Sequence, residues 1–263
     1  MKNQNLSEVK EFYEKTAKDY DKQYETPYWK LYSEITWNNI KKFLPKRKNS
    51  LILDAGGGTG YWTIKLAKLG YKVVLTDIAK NMLKIAERKI KEEKLENKVE
   101  IREVDVRDMH CFSSNYFDMA LAQGDVVSYC LSPKKAIKEL ARIVKRKSPI
   151  IVSVDNKYHL IARLISKGKF NEIPKLLKKG IFKEEFELQG FTPEELKKIF
   201  ESCGLKVVRI IGKPVLTQLI SREERDEIIK KNFRKILDLE LKLCDKPSLV
   251  GFGGHLEIVG IKQ

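Results

Sequence analysis

Cysteine is scarce in this chain and badly spaced for chemistry. Cys111, Cys130, Cys203 and Cys244 are scattered and form no Cys-x-x-Cys pair. That excludes the usual spacing of a structural zinc site and leaves no disulfide framework to argue from. No metal site is expected, and the four thiols read as reduced and buried or half-buried. Apolar runs are short, none approaching the roughly twenty residues of a membrane-spanning helix. The opening residues, Met1 to Asn5, are polar and lack the apolar region of a secretory signal. A cytoplasmic protein is the expectation. Nothing in the 263 residues suggests two independent domains, and the length suits one α/β domain with additions.

A third glycine is also missing where a dinucleotide site would need it. The stretch Leu51 to Leu69 holds a short apolar run, then Gly56, Gly58 and Gly60 in alternation, then Ile64 and Ala67 at helical spacing. Strand, glycine turn and helix form the ligand corner of a doubly wound α/β sheet. A pyrophosphate-binding turn reads Gly-x-Gly-x-x-Gly, but Tyr61 stands at its last position. Asp54 precedes the turn, a carboxylate that would repel a pyrophosphate and welcome an ammonium.

Further carboxylates follow at strand ends. The run Val73 to Leu75 leads to Asp77, roughly 20 residues past the turn, where an acidic side chain can accept from both ribose hydroxyls. Val99 to Val104 leads to Asp105-Val106, and Phe117 to Ala122 leads to Gln123-Gly124-Asp125. These four motifs, in this order, resemble those of the class I S-adenosylmethionine-dependent methyltransferases. The likeness covers roughly Phe12 to Val154 and is greatest to the ubiquinone/menaquinone-biosynthesis-like branch that acts on small molecules. It implies a Rossmann-like, mostly parallel seven-stranded sheet with an antiparallel last strand, and S-adenosylmethionine as cofactor. It further implies that Gly56, Gly58, Thr59 and Gly60 line the methionine and ribose, with Asp54 beneath. Asp77 would bind the ribose, Ile78 and Met82 would flank the adenine, Asp105 and Val106 would hold its amine and ring, and Gln123 would sit beside the methionine. Tyr20-Asp21 is similar to a Tyr-Asp pair before the first strand in many small-molecule methyltransferases. Tyr20 is therefore a cofactor candidate, with Tyr13 and Trp29 behind it, since aromatic faces attract a sulfonium cation.

More absences narrow the acceptor. There is no Asn/Asp-Pro-Pro-aromatic run after the fourth strand and no Pro-Cys nucleophile, which disfavours nucleobase amine and cytosine C5 chemistry. Quinone enzymes usually carry Gly-x-Arg-Asn where this chain has Gln123-Gly124-Asp125, which counts against a quinone. If the acceptor must lose a proton, His255, His159, Asp125 and Asp155 are the candidate bases, with His255 and Asp125 preferred. His110, in a polar connection, reads as exposed.

Helix starts are legible at Ser7, at Thr26-Pro27, at Ser132-Pro133, in the capping box Thr192-Pro193-Glu194-Glu195 and at Ser221-x-x-Glu224. Residues 1–50 read as an N-terminal helical cap and 51–155 as the cofactor-binding half. Two additions read as lids, 157–190 with two short helices parted by Gly168, and 213–249. A last strand from His255 to Ile261 brings His255 to the working edge of the sheet.

The formal net charge is +16, from 52 Lys and Arg against 36 Asp and Glu. An acidic partner such as RNA would suit it. So would a lysine-rich hyperthermophile-like surface, because 33% of residues are charged and the lysines spread over predicted helix faces. A small-molecule methyltransferase is the expectation. An RNA methyltransferase, a noncatalytic cofactor-binding protein and an NAD-dependent dehydrogenase remain as alternatives. Oligomeric state leaves no mark on the sequence.

Overall fold

The apolar runs between the glycine and polar punctuation become strands, and the strands make one sheet. The computed structural model describes the backbone of residues 2–263 and the side chains of residues 6–263. The polar side chains of Met1 to Asn5, on which the cytoplasmic expectation drew, lie outside that range. In chain order come α1 (Lys2–Thr16), a 3-10 turn (Tyr20–Glu25), α2 (Pro27–Lys41), β1 (Leu51–Ala55), α3 (Tyr61–Lys68) and β2 (Lys72–Asp77). Then follow α4 (Lys80–Glu92), β3 (Val99–Glu103), β4 (Met119–Ala122), α5 (Val126–Tyr129), α6 (Pro133–Ile143), β5 (Pro149–Asp155), α7 (Lys157–Ser166) and α8 (Ile173–Lys179). The chain continues through β6 (Ile181–Lys183), β7 (Glu187–Gln189), α9 (Pro193–Ser202), β8 (Leu205–Lys213), α10 (Arg222–Leu243), α11 (Pro247–Val250) and β9 (His255–Lys262).

The seven-stranded sheet has the order β3-β2-β1-β4-β5-β9-β8. β9 runs antiparallel to both neighbours and the other pairs are parallel, as expected. Alternation along β1 divides the core between the two faces. Ile52 packs with Trp62, Leu66 and Ala86 of α3 and α4, whereas Leu53 packs with Ile137 and Leu140 of α6 and Phe200 of α9. Both faces are covered by helices, which is why these parallel strands read as continuous apolar runs. The chain reversal of order between β1 and β4 opens a crevice at their carboxyl ends, where Asp54, Asp77 and Asp125 all lie.

Above that edge sits a helical layer. α1 shares an apolar cluster with the 157–190 addition, through Val9, Leu160, Leu164, Leu176, Phe182 and Phe186. α2 and α10 make another with β8, through Tyr28, Leu31, Ile35, Ile211 and Ile229. Among the described residues no helix is long and apolar enough to cross a membrane.

Several local expectations need correction. Ser7 lies inside α1, because helical residues upstream override its capping tendency. Ser221 precedes α10 but bonds the Glu224 carboxylate and caps no backbone N–H. The 157–190 addition also carries a β6–β7 hairpin, whose three-residue strands are too short to show an alternating pattern. Tyr20, the cofactor candidate, lies on a 3-10 turn and meets Tyr24 edge to face, at 6.0 Å between centroids. Cys111 is exposed, so not every thiol is shielded. The Thr192 capping box forms with both of its bonds, as does the Thr26 cap on α2.

Candidate active site

The glycine turn is shaped by crowding as much as by backbone angle. Gly56 has φ +67, and a Cβ there would stand 2.7 Å from Val126. Gly57, the position between the alternating glycines, has an ordinary φ, yet its Cβ would meet Asp54 Oδ2 and Leu75 Cδ1 at 2.7 Å. Asp77, at the tip of β2, accepts from Gly58 N at 3.0 Å and from Ala79 N at 2.9 Å. Burial raises its carboxyl above the usual range against the pull of these N–H groups.

A narrow cavity of about 60 Å³ runs along this corner. Of the expected cofactor residues, Tyr20, Gly56, Gly58, Asp77, Ile78, Met82, Asp105 and Val106 line it. Asp54, Thr59, Gly60 and Gln123 do not. Asp54 is fully buried behind the turn, accepting from Thr63 Oγ1 at 2.6 Å, and burial pushes its carboxyl up to about 6. Thr59 spends its hydroxyl on Asp21 at 2.6 Å. Gly60, at φ +82, lets α3 pack against Ala86 of α4. Gln123 faces inward, where Lys213 Nζ donates to its Oε1 at 3.0 Å and its Nε2 has no partner among the described residues. Asp105 is gripped by Arg107, with contacts of 3.1, 3.0 and 2.6 Å.

The donors, the carboxylate at the strand tip and the glycine cradle suit a nucleoside, but the width does not. Small-molecule sites span roughly 300 Å³ or more, and here Leu6, Val9 and Tyr13 of α1 lie across the groove. Two latches hold that helical cap down. Glu14 accepts from Lys80 N and Asn81 N at 2.7 and 2.8 Å, and Asp21 bonds Thr59 and Lys89. A nucleoside fits the residues once α1 swings outward.

A second cavity, of about 540 Å³, meets the first at Tyr13, Tyr20, Gly124 and Tyr129. Its walls are largely aromatic, and burial pushes the phenols of Tyr13, Tyr20 and Tyr129 up, keeping them protonated. His255 lies here with Nδ1 2.9 Å from Asp125 Oδ2. The contact is one of charge more than of a linear hydrogen bond, since the ring nitrogen is not aligned with the carboxylate. Burial is the largest influence and opposes the imidazolium, but Asp125, by charge and contact, and Asp155 together outweigh it, so the His255 pKa is raised. Burial likewise opposes the Asp125 carboxylate, and His255, Ser153 and Lys213 together outweigh it, leaving that pKa lowered.

Asp125 is held from behind. It has φ 62, a left-handed conformation that costs a non-glycine residue of order 1 kcal/mol or more and clusters at functional sites. Its Oδ1 accepts from Ser153 Oγ at 2.6 Å, and Tyr32 Oη lies 3.1 Å from that hydroxyl. The His255 ring rests against Tyr32 and Trp29, at 5.1 and 5.8 Å. Asp155 stands close by, its carboxyl pushed up to about 7 by burial and by Asp125. Ligand atoms of Asp125, Asp155 and His255 lie within 4.8 Å of one another, so the three could hold a metal ion. They also coexist without one, since Asp125 and His255 pair and Asp155, at about 7, is partly protonated near neutral pH.

Tyr32 and Ser153 escaped the sequence reading. The one available signal for Ser153 is a hydroxyl inside the apolar run of β5. Lys213 and Glu257 were missed too, although each is a charge set in an apolar strand. His159 lines the large cavity, where burial, His255 and nearby arginines lower its pKa to about 3. His110 is exposed and away from the site.

Comparison with known proteins bears on this corner directly. The methyltransferase domain family matches residues 52–147, from β1 to just past α6. An uncharacterised protein of Methanocaldococcus jannaschii is 30% identical over 239 residues, 86% of each chain. The tRNA 5-carboxymethoxyuridine methyltransferase of Escherichia coli K12 is 20% identical over 244 residues, 91% of each. A crystallised SAM-dependent methyltransferase of Methanosarcina mazei shares the fold, with a TM-score of 0.61 at 21% identity over 85% of this chain and 96% of that one. The glycine turn, the carboxylates at the strand tips and these relatives converge, and the chain belongs to the class I S-adenosylmethionine-dependent methyltransferases.

Proposed function

We propose that this enzyme methylates a small molecule held in the large cavity, with His255 taking the acceptor's proton. The observation that carries the reading is the 2.9 Å contact of His255 with Asp125 on the wall of the large cavity, Asp125 following Gly124 at its junction with the first. S-adenosylmethionine supplies a methyl group on a cationic sulfur. Asp77 would hold its ribose hydroxyls, Ile78 and Met82 the adenine faces, Asp105 and Val106 the amine edge, and Gly56 and Gly58 the close backbone approach. Tyr20 lines the junction. Asp54 supports the turn from behind, Thr59 and Gly60 belong to it, and Gln123 is held by Lys213.

On the acceptor side, neutral His255 accepts a proton from an O–H or N–H group, and the Asp125 carboxylate stabilises the imidazolium that results. Ser153 and Tyr32 fix Asp125, and the aromatic walls exclude water. The 157–190 and 213–249 additions act as lids of a single, cytoplasmic methyltransferase domain.

A second reading is favoured by the tRNA-modifying relative and by the charge of +16: the acceptor is RNA. Labelled methyl transfer into a cell extract, with and without ribonuclease, separates the two. Label in small metabolites that survives ribonuclease supports the first reading, and label lost with the RNA overturns it.

A further inference from the structure

Two arginines on the large cavity have no carboxylate partner among the described residues. Arg222 and Arg225 stand on the first turn of α10 and line the space opposite the 157–190 addition. Among the described residues neither forms an ion pair with a carboxylate. Arg225 reaches only Gln218 Oε1, at a marginal 3.5 Å, and its Nε is buried without an acceptor. Other charges on the same walls are matched: Arg163 by Glu184, Asp125 by His255, Asp19 by Lys22. Arg222 is exposed, as is Glu185 at the hairpin turn, so the buried, unmatched charge on these walls is that of Arg225, with Arg222 one helical turn before it.

The arginine side chain is also fixed in direction. Its guanidinium lies 4.0 Å over the Tyr28 ring, Tyr28 meets Trp29 edge to face at 5.5 Å, and Trp29 meets His255 at 5.8 Å. A row of rings therefore joins the cationic end of the cavity to the proposed base. We propose that the methyl acceptor is a planar small molecule carrying an oxyanion, a carboxylate or a phosphate, which Arg222 and Arg225 bind while its proton-bearing atom faces His255. This deepens the small-molecule reading above and rests on it. Burial is the main cause of the lowered His159 pKa, and His255, Arg163, Arg222 and Arg225 add a positive potential that such an anion would offset. A guanidinium whose buried Nε has no acceptor, as at Arg225, gains from a charge-assisted bond.

The test is calorimetry of the protein loaded with S-adenosylhomocysteine against benzoate, phenyl phosphate, inorganic phosphate and bulk tRNA. Benzoate or phenyl phosphate is expected to bind, and the preferred one identifies the oxyanion. Arg225→Gln and Arg222→Gln should each weaken that binding by about tenfold or more, with Arg225→Lys recovering part of it. S-adenosylhomocysteine binding, unchanged in all three, shows that they fold. In NMR titration the His159 imidazole should move to a higher pKa when the anion saturates the wild type. No oxyanion binding, equal binding in the variants, or binding of tRNA alone with a steep salt dependence would each overturn the proposal. His255→Gln keeps the two readings apart: it should retain benzoate or phenyl phosphate binding and lose methyl transfer. Transfer that survived the change would sink the base and leave the anion subsite standing.

Discussion

Lys213 and Glu257 form an ion pair with no exposure to solvent, Nζ to Oε2 at 2.6 Å. The lysine also donates to Thr36 Oγ1 and Gln123 Oε1, and Asn39 donates to the other glutamate oxygen at 2.6 Å. Burial lowers the Lys213 pKa, with Glu257 opposing. The pair bolts β8 and β9 to α2 and to the end of β4, directly beneath the site.

Breaking one side of that pair strands the other charge. Lys213→Met should therefore destabilise the fold by about 3 to 5 kcal/mol. Changing both, Lys213→Met with Glu257→Leu, should recover most of the loss, because no uncompensated charge remains. Urea denaturation of the three proteins measures it, and a double variant as unstable as the single one would contradict the argument.

His255 can act as a base only when neutral. The Asp125 charge raises its pKa, so turnover should rise with pH and level off above the ordinary imidazole range near 6.5. Asp125→Asn removes the charge and should move the inflection to lower pH. His255→Gln should cost roughly 10²- to 10⁴-fold in kcat, with KM for S-adenosylmethionine little changed. A pH-rate profile that stayed flat in the wild type would remove His255 from the chemistry.

The cofactor corner separates affinity from access. Asp77→Ala should weaken S-adenosylhomocysteine binding by about 2 to 4 kcal/mol, the loss of two charge-assisted hydrogen bonds. Asp21→Ala instead frees the cap from Thr59 and Lys89. Those latch contacts are partly exposed, about 24% and 41% for the Lys89 and Asp21 side chains, so the gain in association rate should stay within severalfold. Stopped-flow binding reads both effects, and an Asp21→Ala rate equal to wild type would mean that α1 does not gate the corner.

Asp155 titrates in the opposite sense from a paired carboxylate. Its folded-state pKa is raised from 3.8 to about 7, so the folded protein holds a proton that the unfolded chain has released. Stability then falls as pH rises between these two values. Asp155→Asn should flatten that dependence and raise stability at pH 8 by on the order of 2 to 4 kcal/mol. Thermal melts from pH 5 to 8 are the measurement, and parallel curves for the two proteins would refute it.

The cofactor half was readable because its signals are local. A strand, its glycine turn and the following helix occupy consecutive residues, so Asp54 through Ala67 carry their own geometry, and Asp77 and Asp105 mark strand tips wherever the apolar runs stop. The runs marked the strands, while the antiparallel β9 was implied by the family resemblance, and with it the place of His255 at the working edge. Which side chains face a ligand did not follow, because burial and partner choice decide that: Asp54 and Gln123 turned inward, and Thr59 was taken by Asp21. The acceptor side is assembled only by folding. Tyr32, Asp125, Ser153 and His255 come from separate elements, as do Lys213 with Gln123 and Arg225 with Tyr28. No spacing along the chain encodes those pairs, since each exists only where packing closes the helical additions over the sheet.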